Sequence, residues 1–273
     1  MKLKKSLMAA FALAASIMFT ACGGGQTDGG KTAESTIKIG ATPVPHAEML
    51  AEITPDLKEK GVTLEVIEFN DYVQPNIALN DKELDANFFQ HEPYLRDFVN
   101  EHKEMKIKNA AGVHVEPMGI YSKKYTKLDE IPDGAKVSIP NDPTNGGRAL
   151  LLLEKADLIK LKAGVSETAT VQDVVENPKN LVISEVEAAQ LPRTLDDVDI
   201  SVINTNFAMN ADLNPVKDAL FMEDKTSPYV NIIVVREGDE NRPEIKALIE
   251  TLHSEKIKKF IDEKYKGAIV PAF

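Results

Sequence analysis

Phenol, amide, imidazole and phenyl side chains crowd into one short stretch of this chain. Six of its 16 aromatic residues fall between Phe69 and Phe98, threaded through the polar strings Phe69-Asn70-Asp71-Tyr72 and Asn87-Phe88-Phe89-Gln90-His91-Glu92-Pro93-Tyr94. Core packing alone would leave those phenols, amides and the imidazole without an evident use, because buried polar groups must find hydrogen-bond partners. A pocket mixing ring faces with convergent polar groups accounts for both.

A second string, Asn141-Asp142-Pro143-Thr144-Asn145-Gly146-Gly147-Arg148, runs into the apolar Ala149-Leu150-Leu151-Leu152-Leu153. Two glycines at a helix start let backbone approach a ligand, and free N–H groups there attract an anion. Arg148 adds a planar fork matched to a carboxylate, although its spacing suits a surface salt bridge equally well. The apolar run tilts the balance, since a helix this apolar is buried and its N-terminus then points into a cleft. The Gly-Lys-Ser/Thr of a phosphate loop is missing, so nucleotide binding is not indicated. Asn204-Thr205-Asn206 and Ser227-Pro228-Tyr229-Val230-Asn231 flank two apolar runs. Amides at strand ends are where open α/β sheets present ligand groups, and ordinary turn residues are the other reading.

Several chemistries are excluded. His91-Glu92 begins a metalloprotease pattern, but the position four residues after His91 is Leu95. His46, His102, His114 and His253 form no ligand spacing, so no metal and no cofactor are expected. No Gly-x-Ser-x-Gly and no evident Ser-His-Asp set is present, and nothing else points to an enzyme.

Apolar runs alternate with helix-period segments, the pattern of βα units around mostly parallel sheets. Strands are expected at 36–41, 62–69, 85–89, 106–114, 119–122, 136–139, 181–184, 199–203 and 231–236. Helices are expected at 47–60, 74–80, 93–100, 147–156 and 242–263. Asp71 caps the helix beginning near Tyr72, Pro93 suits a first turn, and Gly61 and Gly164 end two helices. The chain changes domain near 116–122 and returns near 227–231, so residues 36–118 with 231–273 form one lobe and 119–230 the other.

The N-terminus reads as an export leader, with Lys2, Lys4 and Lys5 before an apolar run from Ser6 to Ala21. It stops at Phe19-Thr20-Ala21-Cys22, which resembles a bacterial lipobox, and Cys22 is the only cysteine in 273 residues. A lone thiol there has no disulfide or zinc partner and is expected to carry the lipid. Residues 1–21 are the signal peptide and 22–35 the lipidated Cys and a Gly/Thr/Ser tether. Removing three lysines with the leader carries the formal net charge from −11 to −14, which argues against nucleic acid and against a membrane-hugging surface. The rest, lacking a second spanning run, is expected outside the cytoplasmic membrane.

Phe69-Asn-Asp-Tyr-Val-Gln-Pro-Asn76, Leu84-Asp-Ala-Asn-Phe-Phe-Gln-His91, Pro93-Tyr94 and Ile139-Pro-Asn-Asp-Pro-Thr-Asn-Gly-Gly-Arg148 together resemble the NlpA family of lipoproteins, the methionine-binding proteins of ABC importers. Glu187-Ala-Ala-Gln-Leu-Pro-Arg193, Ile203-Asn-Thr-Asn206, Ser227-Pro-Tyr-x-Asn231 and Val270-Pro-Ala-Phe273 extend the likeness over essentially the whole mature chain. The resemblance implies an α/β, two-lobed periplasmic-binding-protein fold of type II kind, each lobe a mixed sheet flanked by helices, closing on methionine or a close derivative.

By the same resemblance, Tyr72, Phe89, His91 and Tyr94 line the first-lobe side around the thioether and Arg148 clamps the carboxylate. Asn145, Asn206 and Asn231 bind the amino-acid head. Rings about 5 Å from a polarizable sulfur suit a thioether, and amide oxygens can accept from an ammonium. The implied partners are an ABC permease and, through the lipid only, a membrane, with the chain a monomer. Two other classes stay open: an exported enzyme using a cleft carboxylate pair, which requires turnover, and an adhesin or structural lipoprotein, which shows no ligand-dependent melting shift.

Overall fold

A computed structural model describes residues 35–273. The signal-peptide, Cys22 lipidation and tether expectations therefore lie outside the described residues, apart from Ser35. In chain order, the first part of the fold comprises β1 (Ser35–Ala41), α1 (Glu48–Glu59), β2 (Val62–Glu68), α2 (Gln74–Asn80), β3 (Ala86–His91), α3 (Glu92–Glu101) and β4 (Ile107–Val115). There follow β5 (Gly119–Tyr121), β6 (Lys136–Pro140), α4 (Pro143–Lys155), β7 (Lys160–Leu161), β8 (Val174–Glu176), β9 (Val182–Val186), α5 (Leu191–Thr194), β10 (Ile200–Ile203), α6 (Thr205–Asn210), α7 (Pro215–Asp218) and β11 (Ala219–Met222). The chain ends with β12 (Val230–Arg236), α8 (Pro243–Leu252), α9 (Glu255–Tyr265) and β13 (Val270–Pro271).

The strands form two mixed sheets, ordered β13-β4-β12-β3-β1-β2 and β11-β5-β10-β6-β9, with β7 and β8 as a separate pair. In the larger sheet β1 runs parallel to β2 and β3, while β12 is antiparallel to both β3 and β4. In the smaller, β6 is parallel to β9 and β10, and β5 is antiparallel to β10 and β11. The two-lobed α/β architecture is thus the one the motifs imply. Chain passes between the sheets at residues 116–118 and again at 223–229.

Period-two alternation puts neighbouring side chains on opposite sheet faces. Phe88, Ile233 and Val235 pack with Ile37, Leu50, Ile53 and Leu248, whereas Phe89, Ile232 and Val234 pack with Leu79, Leu95 and Phe98. Strands so covered on both faces are apolar at nearly every position, which is why β12 reads as an unbroken run. Among the described residues no helix is long and apolar enough to cross a membrane.

Local chemistry explains the boundaries. Gly61, at φ +78°, ends α1 as expected. Asp71 Oδ1 accepts from the backbone N–H groups of Val73 and Gln74 at 2.8 and 2.7 Å, so α2 begins at Gln74 rather than Tyr72. Gly164 terminates no helix. It lies in the turn after β7, while α4 ends at Lys155. The expected 242–263 helix is two helices, broken where Ser254 Oγ caps α9. The short β7, β8, β11, β13, α5, α6 and α7 carry too few residues to show a period.

Residues Gly146 and Gly147 lie inside α4, which starts at Pro143, and their smallness serves packing rather than ligand approach. A Cβ on Gly147 would stand 2.1 Å from the Glu167 carbonyl oxygen, a backbone atom that cannot swing aside. Gly147→Ala should therefore destabilise the fold by roughly 1–3 kcal/mol, read as a lower denaturant midpoint at unchanged m-value. An unaltered midpoint would contradict this packing.

Candidate functional site

The carboxyl end of β3, the α3 start and the entry to β12 face the N-termini of α4 and α6 across the gap between the sheets. There Tyr72, Phe89, His91, Tyr94, Asn145, Arg148, Asn206 and Asn231 all line one cavity of ≈330 Å³, counted out to its mouth. Four further residues complete the lining: Gln90, Glu116, Asn204 and Thr205.

One wall is aromatic. The Tyr72 ring lies 5.9 Å from Phe89, 5.8 Å from Tyr94 and 4.8 Å from Phe207, and Tyr94 is 6.2 Å from Phe89. Tyr94 holds this wall by donating its O–H to the Tyr72 carbonyl at 2.9 Å. Part of the polar string beside these rings has a structural use instead. Asn76, Asn87 and Gln90, all buried, exchange hydrogen bonds of 2.7–3.0 Å that fasten α2 to β3.

Hydrogen bonds also join the lobes across the cavity. Tyr72 O–H donates to Asn206 Oδ1 at 2.6 Å, and His91 Nε2 meets Asn145 Oδ1 at 2.9 Å. His91 Nδ1 accepts from the Tyr94 N–H at 3.2 Å, so the ring carries its proton on Nε2. Burial, with Arg148 nearby, depresses the His91 pKa to about 3, and the imidazole is neutral.

Arg148 is 3 % exposed and gripped on three sides. Its Nε donates to Glu223 Oε1 at 3.1 Å and its Nη2 to Glu223 Oε2, Nη2 also donates to the Glu116 carbonyl at 2.7 Å, and the Tyr229 ring lies 4.1 Å beneath the guanidinium carbon. The fork expected to clamp a ligand carboxylate is therefore occupied by Glu223. Only Nη1 lacks a partner among the described residues.

The amides are similarly committed. Asn145 donates through Nδ2 to both Asp142 oxygens and accepts through Oδ1 from Asn204 Nδ2 at 2.8 Å. The oxygens of Asn206 and Asn231, expected to receive an ammonium, each already contact one protein group, Tyr72 O–H at 2.6 Å and His46 Nε2 at 3.0 Å, and each amide also presents Nδ2.

Beneath Asn231, His46, His114 and Glu116 bring three donors of metal-ligand type within 4.8 Å of one another, the only such group among the described residues. Far apart in sequence, the two histidines showed no ligand spacing. Here Glu116 Oε1 is hydrogen-bonded to His114 Nε2 at 2.7 Å and lies 3.3 Å from His46 Nε2, whose hydrogen bond goes to Asn231, while Thr42 Oγ1 contacts His46 Nδ1 at 2.7 Å. Burial lowers the pKa of His46 to about 4 and of His114 to about 3, and raises that of Glu116. Two uncharged imidazoles thus crowd a buried carboxyl group at the first passage between the sheets, and one of them, His114, is hydrogen-bonded to it.

Known proteins resemble this chain in sequence and in fold. The chain matches the NlpA lipoprotein family over residues 37–273. It is 45% identical over 273 residues to the methionine-binding lipoprotein MetQ of Bacillus subtilis, covering 98% of this chain and 99% of that one. It is 44% identical over 270 residues to the D-methionine-binding lipoprotein MetQ of Escherichia coli, covering 97% of each. A nutrient binding protein from Burkholderia cenocepacia, solved bound to methionine, superposes with a TM-score of 0.84 at 49% identity, covering 87% of this chain and all of that one. The chain belongs to the NlpA lipoprotein family.

Proposed function

We propose that this protein is a lipid-anchored extracytoplasmic receptor that encloses one methionine, the L form, between its lobes and delivers it to the permease of an ABC importer. The observation that carries this reading is the division of the cavity into a ring-lined wall and a polar wall. Tyr72, Phe89, His91 and Tyr94 offer faces and edges to a thioether, each good sulfur contact contributing about 0.3–1.5 kcal/mol. Arg148 Nη1 and the Nδ2 groups of Asn206 and Asn231 offer donors to a carboxylate, and Asn145 keeps the polar wall in register through Asp142 and His91. Hinge closure on the ligand creates the form that the permease receives, and the chain, a monomer, performs no chemistry. Cys22 carries the lipid, and the tether keeps the receptor near its permease at high effective concentration.

Native mass spectrometry of residues 23–273, followed by calorimetry with both methionine enantiomers, tests this. One methionine retained or bound per chain is expected, with a raised Tm. No bound ligand and no melting shift with either enantiomer would refute it.

A further inference from the structure

The chain between β7 and β8 packs into the core of the smaller sheet through Leu161, Ala169 and Val171, and it crosses α4 at Gly147. A Cβ on residue 147 would stand 2.1 Å from the Glu167 carbonyl oxygen and 2.8 Å from the Ala169 nitrogen, so only glycine lets the loop lie this close. The backbone of Glu167 is thereby seated on the helix that carries Asn145 and Arg148. From that seat its side chain reaches out to the other sheet's helices. Glu167 Oε1 accepts from Arg96 Nη2 at 2.6 Å, and Arg96 lies on α3, which packs on the larger sheet through Leu95 and Phe98.

Among the described residues this is the only ion pair that runs between the larger-sheet and smaller-sheet parts of the chain. Lys38–Glu65, Lys60–Glu250 and Lys264–Glu48 stay within the first, and Lys123–Asp196, Arg148–Glu223 and Lys160–Glu176 within the second. Neither Arg96 nor Glu167 has another ion-pair partner among the described residues. The pair sits at the edge of the cavity, since Tyr94, two positions before Arg96, lines it. Burial, opposed by Arg148 and reinforced by Glu223 and Glu167, raises the Tyr229 pKa to about 12, which places the Glu167 charge beside the ring that underlies Arg148.

We propose that Arg96 and Glu167 form a latch on the closed form, positioning residues that touch no ligand and set how long the lobes stay shut around it. The proposal rests on the hinge-closure reading of the cavity. The two side chains are 55 % and 32 % exposed, so water and salt screen the pair and its strength is that of a surface bond. A latch of that size lengthens closure without preventing release.

Stopped-flow release of L-methionine tests this on wild type, Arg96→Ala, Glu167→Ala, the double alanine variant and the exchanged pair Arg96→Glu with Glu167→Arg. Salt of about 0.01 M and about 1 M takes the screening length from ~30 to ~3 Å. At low salt each single variant should release methionine about twofold to fivefold faster than wild type, and the double variant no faster than either single one. The exchanged pair should return toward the wild-type rate. High salt should speed release from wild type and leave the alanine variants nearly unchanged. Variants that change Tm but not release would make the pair merely structural and overturn the proposal, as would additive single effects or an exchanged pair that releases faster than both single variants. A wild type that retains no methionine would instead remove the hinge-closure reading itself, and the proposal with it.

Discussion

Arg148→Ala should weaken methionine binding by about a hundredfold and lower the stability of the empty protein in the same step. The binding loss has two sources. A charge-assisted contact of about 1.5–3 kcal/mol disappears, and Glu223, now without its cation, repels the incoming carboxylate. The stability loss follows because removing one member of a buried ion pair leaves the other desolvated and unpaired, at about 3–5 kcal/mol. At 2–4 °C per kcal/mol for a chain of this size, Tm should fall by roughly 10 °C. The Arg148→Ala, Glu223→Gln double variant separates the two effects. It should regain most of the lost Tm but only the part of the affinity that repulsion by Glu223 had cost, whereas full recovery of affinity would place Arg148 outside the ligand's reach.

Melting temperature should also fall steeply as pH drops from 7 to 5, before ordinary carboxylates begin to titrate. His46, His91 and His114 are buried and neutral, with pKa values depressed to about 4, 3 and 3, against about 6.5 in the unfolded chain. Below pH 6.5 the unfolded chain takes up protons that the fold refuses. Stability is therefore complete above that value and is lost progressively down to the folded pKa values. At pH 5 each imidazole costs about 2 kcal/mol and the three roughly 6, a large share of an ordinary domain's 5–15. Glu116 works in the other direction, since its raised pKa lets the fold accept a proton early and offsets part of the loss. Asp85 and Asp199, held low by hydrogen bonds to backbone N–H groups and by basic partners, contribute only below about pH 4. A Tm that is flat from pH 7 to 5 would show that the three imidazoles are not held neutral as described.

Much of the architecture is legible where local signals and burial agree. The strands at 36–41 and 231–236 alternate or run apolar as their neighbours require, and Gly61 stops α1 for a conformational reason that needs no tertiary context. The start of α4 was placed at Gly147 because the two glycines read as a helix start, although Asp142 as N-cap and Pro143 in the first turn were signals for the earlier start. Tertiary contact with Glu167 demands Gly147, which no local rule reveals, while Gly146 packs against the Pro140 carbonyl.

The ring-rich half of the cavity was visible as composition. The polar half was visible only as loose amides at strand ends, because its order lies in partners 54 to 185 residues apart, such as His91 with Asn145 and His46 with Asn231. Glu116 and Asn204 acquire their meaning only from such partners. Arg148 was found, but its pairing with Glu223, 75 residues away, was not.

The two bonds that span the cavity, Tyr72 to Asn206 and His91 to Asn145, bear on timing as well as on affinity. A ligand enclosed behind them leaves only after both have parted. Its dwell time is then set by how often the lobes separate, with its own contacts adding to a delay that the empty protein already has. Ligands of unequal affinity should share a slow component of release, and a transporter that pulls the lobes apart would speed every one of them by the same factor.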